Sequence, residues 1–210
     1  MSEIIPANTA EWVKARVGCL TASSMDGVLA VKKNGEPTAE YQKLVNAVVG
    51  ERLSGMARNN YVSSSMQWGI ATEEQAVEAY QAATGELCDE AGFILHPSIP
   101  HFGASPDRFV GSDGLIEVKC PETSTHVQYL REGVAPADYL PQMWAQLAVT
   151  GRKWCDFVSF DPRISNPNCR LFIVRVERDE QKIHSIEAAA QAFLVVVRQT
   201  IEQLTTRKVA

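Results

Sequence analysis

Gly103-Ala-Ser-Pro-Asp-Arg-Phe-Val110, the turn Gly111-Ser-Asp-Gly114 and Leu115-Ile-Glu-Val-Lys-Cys120 follow one another near the middle of the chain. They read as two extended arms joined by a tight, glycine-bounded turn. Side chains alternate along a strand, so Leu115, Glu117 and Lys119 share one face while Ile116, Val118 and Cys120 form an apolar core face. Closing the hairpin brings Asp107, on the first arm, beside Glu117. Two carboxylates held together repel, and both stay ionised when a divalent cation lies between them. Lys119 adds a compact positive charge to the same face. Hard oxygen ligands of this kind suit Mg²⁺, which lowers the pKa of its water and screens charge on a phosphate; a second ion would steady the departing oxygen. Lys119 would position or deprotonate the attacking water, or neutralise the phosphate. The Val118 carbonyl, between Glu117 and Lys119, is a natural extra ligand. The chemistry predicted is phosphodiester hydrolysis.

Working outward, the first third reads as helical. Asn8 or Thr9 caps a short helix through Trp12 and Arg16 that ends at Gly18, and Thr21 caps a second over 22–30. Lys32-Lys33-Asn-Gly-Glu-Pro37 is a polar loop whose lysines can reach a DNA backbone. Thr38 caps a third helix with Tyr41, Leu44, Val45, Val48 and Val49 at helical spacing, and a fourth spans 63–83. Beyond the hairpin come a loop, a helix over 138–150 stopped by Gly151, strands over 154–160 and 171–176, and a long C-terminal helix over 179–206. The order predicts a mixed α/β core with an α-rich N-terminal part.

Composition sets the bounds. The chain has 210 residues, 45% hydrophobic and 21% charged, with a net charge of −5. One sizeable core is expected. An acidic chain does not coat nucleic acid by bulk electrostatics, although a local basic groove can coexist with an acidic exterior. The five cysteines are widely spaced without a CxxC pair, which disfavours a zinc knuckle or a clustered iron–sulfur site and suits a reducing compartment. No apolar run reaches the ~18 residues of a membrane span, and no secretory leader is visible, so a cytoplasmic protein is expected.

Ser105-Pro-Asp107 followed by Glu117-Val-Lys119-Cys-Pro121 resembles the PD-(D/E)XK nuclease superfamily, and within it the lambda-type phage exonucleases, the viral recombinase exonucleases. Further blocks are similar in order: Trp12-x3-Arg16-x-Gly18 with Thr21-Ala-Ser23, Trp68-Gly69-x3-Glu73, Tyr139-x2-Gln142, Phe160-Asp-Pro-Arg163 and Val176-Glu-Arg-Asp179. The resemblance implies a restriction-endonuclease-like mixed central sheet flanked by helices, in one nuclease domain over residues 1–210. It implies metal ligation by Asp107, Glu117 and the Val118 carbonyl, with Glu73 as an outer acid and Lys119 as the catalytic lysine. A glutamine one helix on would orient the lysine or the phosphate; Gln142 and Gln146 share a helical face, and the choice between them stays open. Arg16, Ser23 and Ser105 would hold a terminal 5′-phosphate, with Lys33 in the DNA-facing loop. The second arginine of that pocket is replaced by Thr125, and Arg131, Arg152 and Lys153 are the other basic residues offered for its role. The resemblance also implies an apolar residue that wedges the terminal base pair; it has no clear match near the DNA-facing loop, and Met66 is its stand-in.

The implied activity is a Mg²⁺-dependent 5′-to-3′ exonuclease on double-stranded DNA ends, with two ions and with Mn²⁺ as a substitute. It would release mononucleotides and leave 3′ single-stranded tails. Implied partners are a homotrimeric ring around DNA and a single-strand annealing protein. Rival readings are another nuclease of the same core, an endonuclease or a CRISPR-type exonuclease, and a non-catalytic DNA-end binder.

Overall fold

The computed structural model describes residues 4–7, 9–58 and 63–207, apart from the side chains of 65 and 66. Its centre is a five-stranded sheet of β3 (Cys88–Glu90), β6 (Arg108–Val110), β7 (Gly114–Lys119), β8 (Trp154–Phe160) and β9 (Leu171–Glu177), in that spatial order. β7 is the middle strand. It pairs antiparallel with β6 through the glycine-bounded turn and parallel with β8, in the register Glu117↔Phe157 and Lys119↔Ser159. A parallel partner cannot be reached by a tight turn and requires a crossover. Here the connection is α5 (Thr123–Glu132), a 3₁₀ turn over Ala137–Tyr139, and α6 (Leu140–Thr150).

Both faces of β7 are covered, as expected for a central strand with a parallel neighbour. On one face Leu115, Cys155 and Phe157 enter a core shared with Met143 and Leu147 of α6, Val45, Val48 and Val49 of α3 (Ala39–Ser54), and Ile186, Ala190 and Phe193 of α7 (Glu180–Thr205). On the other, Ile116, Val118, Val158 and Phe160 pack beneath Ala76, Val77 and Tyr80 of α4 (Ser64–Thr84). A polar lashing reinforces this second layer. Buried Asp156 of β8 accepts the Tyr80 hydroxyl at 2.8 Å and two guanidinium N–H groups of Arg175 at 2.8 and 2.9 Å.

A smaller four-stranded sheet stands beside the first. It runs β1 (Ile5–Pro6), β4 (Gly92–Leu95), β5 (Phe102–Ala104) and β2 (Leu20–Thr21). The parallel pairing Thr21↔Gly103 carries the N-terminal segment to the hairpin that bears Asp107. α1 (Ala10–Arg16) leads into this sheet, capped by the Thr9 hydroxyl, which accepts the Trp12 N–H at 3.0 Å; Asn8 lies outside the described residues.

The expectation of a capped helix over 22–30 needs correction. The Thr21 hydroxyl meets the Ser23 and Ser24 hydroxyls at 3.2 and 3.3 Å rather than capping, and a 3₁₀ turn over Ala22–Ser24 precedes a short α2 (Met25–Leu29). The stretch read as a loop after β7 contains α5. Strands β1, β2 and β3 were not anticipated. Among the described residues no helix is long and apolar enough to cross a membrane.

Candidate active site

The end of β7 opens into a cleft of about 410 Å³ whose lining includes Arg16, Ser23, Glu73, Ser105, Asp107, Glu117, Lys119 and Gln142. Eight of the residues singled out from the sequence thus line one cleft. Val118 borders an adjoining cavity together with Glu73, Asp107 and Lys119. Lys33 is exposed in its loop and does not line the cleft. The Met66 side chain lies outside the described residues.

Glu117 is 1% exposed, and each of its oxygens is held. Oε1 accepts from Gln142 Nε2 at 2.6 Å and pairs closely with Lys119 Nζ; Oε2 accepts from Gln146 Nε2 at 2.5 Å. Both glutamines therefore act on Glu117, one turn apart on α6, and neither orients Lys119 directly. Asp107 Oδ2 accepts the Val118 N–H at 2.6 Å. A strand residue's N–H and C=O leave on the same side, so the Val118 carbonyl leaves toward Asp107. α4 brings Glu73 to the cleft, where Arg108 grips it: Nη1 donates to Glu73 Oε1 at 3.0 Å and Nη2 to Glu74 Oε2 at 2.7 Å.

The electrostatics follow from this crowding. Burial pushes the Asp107 carboxyl well above the usual range, and Glu117 pushes it further, against Lys119 and the Val118 N–H. Burial alone would lower the Lys119 ammonium, but Glu117 and Asp107 outweigh it and raise the pKa. Cys120, at the strand's end, is pushed up to about 11 by burial and by Glu73 and Asp107. The potential here is negative.

The donor set fits a divalent cation of the Mg²⁺ kind: two carboxylates, a carbonyl on the same side, and room for water. Mg²⁺ is ordinarily held by one or two carboxylates, with water and phosphate completing the shell. Burial first, and the Glu117 charge second, raise the Asp107 carboxyl, and a cation between the two carboxylates would favour ionisation of both. As the side chains stand, no three Asp, Glu, His or Cys groups converge as a ready cage among the described residues, since Arg108 engages Glu73 and amide and ammonium donors engage Glu117.

At the other end of the cleft Ser105 Oγ accepts from Arg16 Nη1 and from Trp12 Nε1, each at 3.2 Å, and the Arg16 guanidinium stacks 4.0 Å above the Trp12 ring. Arg152 and Lys153 cannot serve here. Arg152 Nη1 is fixed to the carbonyls of Gly111 and Gly114 at 2.7 and 2.8 Å, and Lys153 pairs with Asp113 at 2.8 Å, all at the turn end of the hairpin. Sequence reasoning did not single out Arg108 as the cation on Glu73, nor Trp12 as a donor to Ser105. Arg108 follows Asp107 directly, and its place beside Ile116 in the β6–β7 register turns it to the face covered by α4.

The model of the YqaJ-like viral recombinase domain matches residues 11–153. Among solved structures, the chain is similar to LHK-Exo in complex with dAMP (40% identity, 93% of this chain and 96% of that one, TM-score 0.86). It is likewise similar to an alkaline exonuclease, LHK-Exo, from Laribacter hongkongensis (41%, 94% and 96%, 0.86). A phage-related exonuclease from Haemophilus somnus 129PT shares the fold (19%, 89% and 96%, 0.70). Comparison with curated proteins gives no match.

Proposed function

The chain belongs to the family of YqaJ-like viral recombinase domains, and from that premise we propose that it is a Mg²⁺-dependent exonuclease digesting one strand of a DNA duplex in the 5′-to-3′ direction. The observation that carries the reading is the make-up of one cleft: an acid–amine cluster at one end, a guanidinium and hydroxyls at the other. Anchoring a terminal phosphate at Arg16, Ser23 and Ser105 presents a phosphodiester further along the strand to the acidic cluster, which is the geometry of cutting from an end. A deoxynucleoside 5′-monophosphate, the product class expected, is the molecule found with the similar LHK-Exo.

Asp107, Glu117 and the Val118 carbonyl would hold the first Mg²⁺ and Glu73, released from Arg108, a second; Mn²⁺ would substitute. Such an ion supplies a water of lowered pKa and screens charge on the phosphate. Lys119 stays protonated beside Glu117 and acts as a cation facing the phosphate oxygens, where charge grows during displacement. Gln142 and Gln146 keep the Glu117 carboxylate turned toward the cleft. Arg16 clamps the terminal phosphate through paired N–H donors. We further propose a homotrimer encircling the duplex, and a single-strand annealing protein as the recipient of the 3′ tail.

Linear duplex labelled separately at each 5′ and 3′ end tests the reading. In Mg²⁺ the 5′ label should appear first, as a mononucleotide, while the 3′ label stays on long single strands; EDTA should stop both. Cutting of covalently closed circles would reject an exonuclease, and early release of the 3′ label would reject the polarity.

A further inference from the structure

Glu73 and Glu74 are neighbours on α4, and one guanidinium bridges them. Arg108 Nη1 donates to Glu73 Oε1 at 3.0 Å and also to the Asp107 carbonyl at 2.6 Å, while Nη2 donates to Glu74 Oε2 at 2.7 Å. The three acceptors differ in where they stand. Glu73 lines the main cleft and, with Asp107 and Lys119, the adjoining cavity; Glu74 lines neither, and 68% of its side chain is exposed. The Asp107 carbonyl is joined to Arg108 by the peptide bond between them and travels with it. Arg108 is itself largely covered, with 18% of its side chain exposed, and a covered cation has to keep its partners. It keeps two of its three hydrogen bonds when Glu73 turns away. Glu73 is in the opposite position. Lys119 is committed to Glu117, so Arg108 is the cation that balances Glu73. Held there, Glu73 completes no convergence of three acidic groups among the described residues; to join Asp107 and Glu117 it has to leave the guanidinium.

We propose that Arg108 is a built-in counter-ion for Glu73: it occupies this acid in the metal-free protein, competes there with the second divalent cation, and on release is retained by Glu74 and the Asp107 carbonyl. Arg108 and Glu74 are thereby positioning residues. They set how readily Glu73 joins the acidic cluster, and they act through Glu73. The sign of the effect is specific to this arrangement. An arginine that merely braced Glu73 in a ligating position would strengthen the second cation's hold, whereas an arginine that occupies Glu73 weakens it. The inference rests on the two-ion form of the nuclease reading above.

The test titrates Mn²⁺ into metal-free wild type, Arg108→Gln, Arg108→Lys, Glu74→Gln and the double variant Arg108→Gln/Glu74→Gln, without DNA. The electron paramagnetic resonance signal of the free ion counts the bound ions and gives their affinities, and thermal melting in EDTA runs alongside. Wild type should bind two ions, the second more weakly. Arg108→Gln should tighten the second by about tenfold, the scale of one hydrogen bond between charged groups, and tighten the first less. It should also lower the melting temperature in EDTA, where Glu73 and Glu74 have lost their cation. Arg108→Lys keeps the charge but not the planar fork that spans both acids and the carbonyl, so it should tighten the second ion part-way; a cation acting by charge alone would leave it equal to wild type. Glu74→Gln should weaken the second ion, because Arg108 then has no acid but Glu73, and this loss should vanish in the double variant. A second ion unchanged or weaker in Arg108→Lys overturns the inference whatever Arg108→Gln does, so the test survives a failure of Arg108→Gln to fold. A single bound ion in wild type and both Arg108 variants overturns it as well. The counts need no turnover: absence of end-initiated digestion by wild type overturns the nuclease reading instead and leaves the exchange at Glu73 standing.

Discussion

Lys119 and Asp107 sit a few atoms apart yet answer differently to substitution. Lys119→Ala leaves the carboxylates and carbonyl in place, so divalent-ion affinity by calorimetry should stay near wild type while turnover on linear duplex nearly vanishes; substantial residual turnover would count against its role at the phosphate. Asp107 is held in the fold with a carboxyl pKa above its ordinary 3.8, by burial and then by Glu117. The folded chain therefore binds the proton more tightly than the unfolded one. The stability Asp107 contributes is complete below the ordinary value and is lost as pH rises through the elevated one. In EDTA the melting temperature should thus fall as pH is raised out of the acid range, and added Mg²⁺ should recover part of the loss. Asp107→Asn keeps an acceptor for the Val118 N–H, so it should raise the melting temperature at neutral pH without metal while abolishing turnover. A lower melting temperature for Asp107→Asn under those conditions would contradict the account.

Elements differ in how plainly the chain announces them. β8 and α7 lie within a residue or two of the ranges read from the sequence, and α3 begins after the Thr38 cap expected; the two helices have recognisable caps, and β8 is a short run buried on both faces. The hairpin of β6 and β7 was equally legible through its glycine turn, and with it the meeting of Asp107 and Glu117. α5 was not, because its buried face consists of His126 and Tyr129 rather than an apolar stripe; His126 instead bonds Ser159 Oγ at 2.7 Å and donates to the Cys169 carbonyl at 2.9 Å. β1 and β2 are two residues each, too short for any period, and exist only through partners about 80 residues away. The double hold of α6 on Glu117 could not be chosen from spacing alone, since Gln142 and Gln146 lie on one face. The two should nevertheless separate by measurement. Gln146 is fully buried, so Gln146→Leu strands a buried carboxylate oxygen and should cost about 1–3 kcal/mol in urea unfolding. Gln142 is half-buried at the cleft, where water can replace its amide, and Gln142→Leu should cost less stability while still lowering turnover. Equal losses of stability would contradict the hold described.

For the whole molecule the central problem is how a chain of net charge −5 engages a polyanion. Within the cleft Arg16 stands at one end with the Ser23 and Ser105 hydroxyls, and the carboxylates stand at the other with Lys119 and Arg108 among them. A closed ring would replace much of the missing electrostatic grip, so light scattering should return a mass about three times the 23.1 kDa of one chain; a monomer at micromolar concentration and physiological salt would reject the ring. The crossover between β7 and β8 has a further consequence. One extra residue inserted at 133–136 lengthens a loop and leaves the helix that follows in phase. The same residue inserted after Leu140 rotates both amides by about 100° around the α6 axis, away from the carboxylate they hold, so the two insertions, equal in size and seven or fewer positions apart, should differ as sharply in turnover as a spectator residue and a reactive one.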